Sequence, residues 1–259
     1  MRRRDAILVC FAAGLATQAE ARRLAEGPLR SAPGFSWITV RAPHFDLYYE
    51  AKTAAERDIE KIQNRLEASW TGIEKLLGAA VDKRLAAFIV DSRARMKQLS
   101  GTESNGLASD SVSLMVYSDT INGVGAHELC HVMARWVWGG SQGSWVNEGL
   151  AVYADDQWWR LPLHSVARGL LDRDQLVPIP KLVSGGWSKK YPDPITYPEL
   201  GSFIKFVYEK YGRDAVKALW QRGAGAAPKV FGKPLSEVEL EWRAEVATHT
   251  PKSADYKKR

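Results

Sequence analysis

At 259 residues, 45% hydrophobic and 25% charged, the chain has a globular composition with enough apolar material for a sizeable core, which excludes a disordered or collagen-like polymer. Its formal charge of +6 is a modest excess, the mark of a solvated surface. No recognisable nucleic-acid-binding motif accompanies it, so no nucleic-acid partner is expected.

The chain opens with Arg2-Arg3-Arg4, an apolar run from Ala6 to Ala16, and Thr17-Gln18-Ala19-Glu20-Ala21, whose small residues suit a cleavage site. These are the parts of a secretory signal peptide over residues 1–21, cut near Ala19 or Ala21. Spanning a bilayer takes about 20 apolar residues, more than this run offers, and no other segment approaches that length. The expectation is an exported protein, periplasmic or secreted, with no integral membrane segment once the leader is gone. Cys10 would leave with the leader, so Cys130 could form no intramolecular disulfide, and it reads as a buried, inert thiol. A lipoprotein role for Cys10 is disfavoured because Val9 stands where a small residue belongs.

After a lead over residues 22–36, Phe45-Asp46-Leu47-Tyr48-Tyr49 has strand composition. Thr53 and Glu56 form a capping box, and Ile59, Ile62, Leu66, Trp70, Ile73 and Leu77 follow at helical spacing up to Gly78. Ala86 to Val90 reads as a buried strand. Ser111 to Tyr117 reads as a third, either interior or an edge able to pair with an extended peptide. From Asn122 onward the pattern is helical. Two helices surround the turn Gly139-Gly140-Ser141-Gln142-Gly143, and a third runs from Leu163 to Leu171. A Pro/Gly-rich connection from Val177 to Pro198 leads to helices over Ser202–Tyr211, Asp214–Gln221 and Glu237–Ala247, the last with Ser236 and Glu239 as its capping box. The predicted organisation is a 22–121 α/β part, a 122–250 helical part, and a basic tail over 251–259. The predicted class is α+β: a small N-terminal mixed sheet with a long helix, a mainly helical C-terminal part, and a cleft between them.

The chemistry lies in His127-Glu128-Leu129-Cys130-His131 and Trp145-Val146-Asn147-Glu148-Gly149-Leu150-Ala151. Helical residues four apart share a face with Cβ atoms roughly 5–6 Å apart, so His127 and His131 can converge on one ion. Glu128 then lies beside the ion, placed to take a proton from water. Glu148, on the second helix, is the third-ligand candidate, and the set predicts one Zn2+ per chain.

HELCH followed by WVNEGLA resembles the gluzincins, zinc peptidases whose third ligand is a glutamate on a second helix, and within them the bacterial peptidase-MA-like group. The likeness to the membrane alanyl aminopeptidases, which share Asn-Glu-Gly-x-Ala, is more distant. It extends loosely over residues 40–225, through His44-Phe45-Asp46-Leu47-Tyr48-Tyr49 and the segment from Tyr197 to Gly212. The aminopeptidases' Gly-x-Met-Glu-Asn segment is not matched by Gly106-Leu107-Ala108-Ser109-Asp110, so an aminopeptidase reading is unsupported.

The resemblance implies an oxyanion donor from the helical part. Tyr197 is the best match, with Tyr191, Tyr153 and then His164 in reserve. It also implies an outer acid partner at the offset of Asp155, two turns after Glu148, and Asn147 is a further candidate for steadying the ligand helix. His44 and His249 read as surface residues, and most of the ten tryptophans as core. The function expected is an exported zinc metallopeptidase acting on peptides or proteins through a Glu128-activated, zinc-bound water. The alternative is a non-catalytic, zinc-stabilised binding or envelope-associated module, against which the intact Glu128 argues.

Overall fold

The computed structural model describes residues 24–252. The predicted leader lies outside them, as does all of the basic tail but residues 251 and 252. The protein is α+β, with a five-stranded mixed sheet in its N-terminal part followed by a mainly helical C-terminal part. The described chain forms two compact units, residues 24–142 with Trp220–Arg222, and residues 143–219 with 223–252. No helix among the described residues is long and apolar enough to cross a membrane.

In the first unit, a short helix α1 (Glu26–Arg30) precedes β1 (Trp37–Arg41) and β2 (Phe45–Glu50). Helices α2 (Ala54–Arg57) and α3 (Ile59–Leu77) follow, then β3 (Leu85–Val90), α4 (Arg93–Ser100), β4 (Gly106–Ser109), β5 (Val112–Val116) and α5 (Ala126–Trp138). Strand order is β1-β2-β3-β5-β4, with parallel pairing through β2, β3 and β5 and antiparallel pairing at both edges. Side chains alternate faces along a strand, and β3 is buried on both, which is why it reads as one apolar run. Ala86, Phe88 and Val90 meet Leu29 of α1 and Met96 of α4 on one face. On the other, Phe45 meets Trp70 of α3 edge to face at 5.4 Å. The α3 stripe is buried at Ile62, Leu66, Trp70, Ile73 and Leu77, as its spacing requires, and Gly78 ends the helix in the left-handed conformation.

Helix α2 begins with the predicted cap, Thr53 Oγ1 accepting from the Glu56 backbone N–H. The Glu56 carboxylate reaches one residue further back than the reciprocal box would have it, accepting from the Lys52 N–H at 2.6 Å. Strand β5 corresponds to the predicted 111–117 run and is interior. The edge on that side is β4, a strand with no strand-like composition that sequence reasoning missed along with β1, the opposite edge, and α4. His44, read as a surface residue, is half-buried, stacked on Trp70 at 4.7 Å and bonded to the Glu67 carboxylate.

The second unit carries α6 (Ser144–Asp155), a two-stranded ribbon β6 (Gln157–Trp158) and β7 (Leu161–Pro162), and α7 (Leu163–Leu171), which matches its predicted span. The Pro/Gly-rich connection contains two short helices, α8 (Ile179–Val183) and α9 (Trp187–Lys190). After it come α10 (Asp193–Tyr211), α11 (Arg213–Arg222, whose end belongs to the first unit), α12 (Ala227–Phe231) and α13 (Leu235–Ala247).

Helix α10 corrects the sequence expectation by starting at Asp193 and running through Pro198. Pro194, in the first turn, costs no hydrogen bond, whereas Pro198 lacks the N–H that would reach back four residues. Burial outweighs that loss: Leu200, Phe203, Ile204 and Val207 are all wholly inside. Helices α6 and α10 cross closely because Gly149 and Gly201 carry no side chain. A Cβ at Gly149 would stand 2.6 Å from Ile204 Cγ1, and one at Gly201 2.4 Å from Val152 Cγ1.

Buried carboxylates pin the connection to these helices, Glu199 accepting from the Val177 N–H and Glu239 from the Ile179 N–H, each at 3.0 Å. Glu239 therefore does not close the predicted capping box of α13. That helix starts after Pro234 with no side-chain cap, because the buried Glu239 is taken by Ile179 and Arg243.

Candidate metal centre

The helix carrying His127 and His131 is held at several points. Trp136 Nε1 donates to the Asp110 carbonyl at 2.7 Å and Arg135 pairs with the Asp110 carboxylate at 3.1 Å, tying α5 to the turn between β4 and β5. Beyond its end, Gln221 donates to the Trp138 carbonyl, Trp220 Nε1 to the Gly139 carbonyl, and the Gln142 N–H to the Trp220 carbonyl. The inner face of α5 is apolar, with Leu129, Cys130, Met133 and Ala134 buried, so the two histidines are left on the half-buried face. Cys130 is a free, buried thiol.

The Nε2 atoms of His127 and His131 stand 3.2 Å apart, with ring centroids 4.8 Å apart and planes nearly perpendicular. Two atoms each about 2.0–2.1 Å from a tetrahedral ion lie roughly 3.3–3.4 Å from one another, so this spacing is that of a zinc edge. Glu148 offers a carboxylate oxygen, and the three ligand atoms all lie within 4.8 Å of one another. Two imidazoles and one carboxylate form the donor set of an open zinc site, and the residues fit the ion.

Glu128 is half-buried and stands apart from the ligand set. Its carboxylate lies against the backbone of the edge strand, where an ideal Cβ at Gly106 would come within 2.3 Å of Glu128 Oε1. A side chain there would have to push the Glu128 carboxylate aside. Sequence reasoning noted the segment Gly106–Asp110 for what it lacked and gave Gly106 no role, since a lone glycine carries no signal of a side chain distant in the chain.

Glu148 and Asn147 are half-buried on α6, whose first residue, Ser144, accepts from Trp187 Nε1 at 3.1 Å. Asp155 is half-buried in the last turn of α6. Asp193, at the start of α10, was not anticipated. Burial first, and the Glu148 carboxylate second, push its carboxyl up to about 6. Tyr197 lies inside α10 rather than before it, buried against Trp158 (6.0 Å) and Trp187 (5.7 Å). Burial raises the Tyr153 phenol well above its ordinary value, with Glu209 next in effect. Tyr191 is half-buried at the end of α9. His164 is buried in α7, its Nδ1 2.8 Å from Ser202 Oγ, and burial chiefly, with His249 and Lys205, lowers its imidazole to about 4.

A scan against protein-family models finds no match, and neither does a search of curated proteins. Among solved structures, the chain is similar to a two-domain M1 zinc metallopeptidase determined as a point mutant bound to L-arginine. The TM-score is 0.50 at 14% identity, covering 84% of this chain and 53% of that one. An M1 zinc metallopeptidase from Deinococcus radiodurans gives 0.49 at 13% identity, covering 86% and 54%. An aminopeptidase N family protein from Idiomarina loihiensis gives 0.43 at 12%, covering 84% and 47%. The chain thus spans about half the length of these proteins. At such identity the likeness is one of fold, that of the gluzincin zinc peptidases.

Proposed function

We propose that this protein is an exported zinc metallopeptidase of the bacterial peptidase-MA-like kind, with peptides or proteins as substrates. The observation that carries the reading is the zinc-like spacing of His127 and His131 with Glu148 at hand, while Glu128, next in the chain to a ligand, stays outside the set. His127, His131 and Glu148 would hold the ion. Zinc bound there supplies Lewis acidity toward the scissile carbonyl and toward water. Glu128 takes the proton from the attacking water and passes it to the departing amine, and the packing against Gly106 holds its carboxylate in position for both transfers. Tyr197 is proposed as donor to the developing oxyanion, with Asp155 and Asn147 as outer supports of the ligands.

The test is digestion of an unbiased peptide library by the full chain, with and without chelator, beside Glu128→Gln. Cleavage should stop with the chelator, and the variant should keep zinc and fold while kcat falls roughly 10²–10⁴-fold. A Glu128→Gln protein cleaving at the parent rate would leave the zinc-stabilised binding module ahead. Export is tested by N-terminal sequencing of secreted or periplasmic material, where an intact Met1 would refute leader removal.

A further inference from the structure

Away from the His127 group, α7, α10 and the end of α13 bring a second set of metal-binding side chains together. His164 on α7 is 5% exposed, and its Nε2 is buried without a hydrogen-bond partner, 3.5 Å from Glu209 Oε2 on α10. His249, just past α13, likewise has a buried Nε2 without a hydrogen-bond partner, 3.4 Å from Glu245 Oε1. The two imidazole rings lie 4.8 Å apart, the same separation as between His127 and His131. We propose that His164, His249, Glu209 and Glu245 form a second site for a divalent ion of the zinc class.

Three physical arguments support the site. First, each carboxylate stands 3.4–3.5 Å from a buried imidazole nitrogen, wider than the about 2.7–2.9 Å of a hydrogen bond to a carboxylate, so neither nitrogen is committed to such a bond. Second, His164 already has the support that a ligand imidazole uses. Ser202 Oγ accepts from Trp242 Nε1 at 3.0 Å and stands 2.8 Å from His164 Nδ1, so in the tautomer with Nδ1 protonated Ser202 accepts from it and the Nε2 lone pair is open to an ion. Third, the charges balance, since two carboxylates and two neutral imidazoles suit a dication. Of the cations alongside, Lys205 is held 2.6 Å from Asp156 and 3.8 Å from the other oxygen of Glu209, and Lys210 is held 3.2 Å from Glu241.

The four groups are close in pairs and are not gathered as tightly as the His127 set. Closing on an ion requires the Glu209 and Glu245 side chains to turn, and at 52% and 49% exposure they are able to. A groove of about 550 Å³ lined by Phe206, Glu209, Lys210, Glu241, Ala244 and Glu245 opens the two carboxylates to solvent.

The experiment is a zinc titration of the full chain against a chromophoric chelator, in the native protein and in His127→Ala/His131→Ala, which removes the first site. The native chain should bind two zinc ions and the double variant one. His249→Ala and Glu209→Gln, both at partly exposed positions that leave the buried His164 in place, should each weaken the remaining binding by at least about 10–100-fold. Should the double variant fail to fold, the native background decides alone, the stoichiometry falling from two to one on His249→Ala. A native stoichiometry of one, or second-site binding that survives both substitutions unchanged, overturns the proposal.

Discussion

Replacing Gly106 by alanine tests the active-site reading with one methyl group. An ideal Cβ would stand 2.3 Å from Glu128 Oε1 and 2.7 Å from its Cδ and Cγ, where ordinary contact begins at 3.4 Å. Something must therefore move by about 1 Å. The backbone of β4 is held by antiparallel pairing with β5, Gly106 opposite Met115, so the half-buried Glu128 side chain gives way first. That movement is cheap in stability, because a flexible carboxylate turns and no core group is displaced. It is expensive in catalysis, since a misplacement of about 1 Å can lower a rate roughly 10²-fold. The three atoms nearest the methyl all belong to Glu128 and none to a ligand, so zinc content should hold. The assay is kcat on a peptide found by library digestion, with metal analysis and thermal denaturation in parallel. A Gly106→Ala protein with parental kcat would show that Glu128 does not act from this position.

Glu148→Ala removes one of three ligands and should lower zinc occupancy sharply under metal-replete expression. Metal analysis checks it, and the absence of zinc from the native protein would defeat the whole reading. Tyr197→Phe keeps the ring between Trp158 and Trp187 and should leave the fold intact while kcat drops roughly 10²–10³-fold at nearly constant KM. If it is silent, the donor is to be sought at Tyr191 or Tyr153, His164 being buried against Ser202 and Glu209. Burial of Glu199 holds its carboxyl well above the ordinary 4.5, with Glu239 adding and with Val177 and Arg243 opposing. The folded state thus keeps a proton that the unfolded chain releases above about pH 4.5. This contribution is full below that pH and is lost as the pH rises toward the folded value. Glu199→Gln mimics the protonated form and should flatten that decline, so a melting temperature that falls between pH 5 and 8 as steeply in the variant as in the parent would contradict it.

What the sequence determined by itself is what local periodicity and short-range spacing can encode. His127 and His131 share a helical face because they are four apart, and the α3 stripe from Ile62 to Leu77 faces inward because 3.6 residues make a turn. The apolar runs of β3 and β5 announce strands covered on both faces. Tertiary structure decided the rest. Gly106–Ser109 has no strand composition and is a strand because β5 pairs with it, and that pairing sets Gly106 against Glu128. Pro198 argues locally against a helix within α10, and the buried face of Leu200, Phe203, Ile204 and Val207 overrides it. Glu239 looks like a helix cap and is drawn off by a backbone N–H sixty residues away in the chain. In each case a contact remote in sequence, carrying burial or a hydrogen bond in a dry interior, outweighs a local preference worth about 1 kcal/mol, or about 3 kcal/mol for the interior proline, and such contacts leave no mark on the neighbouring residues.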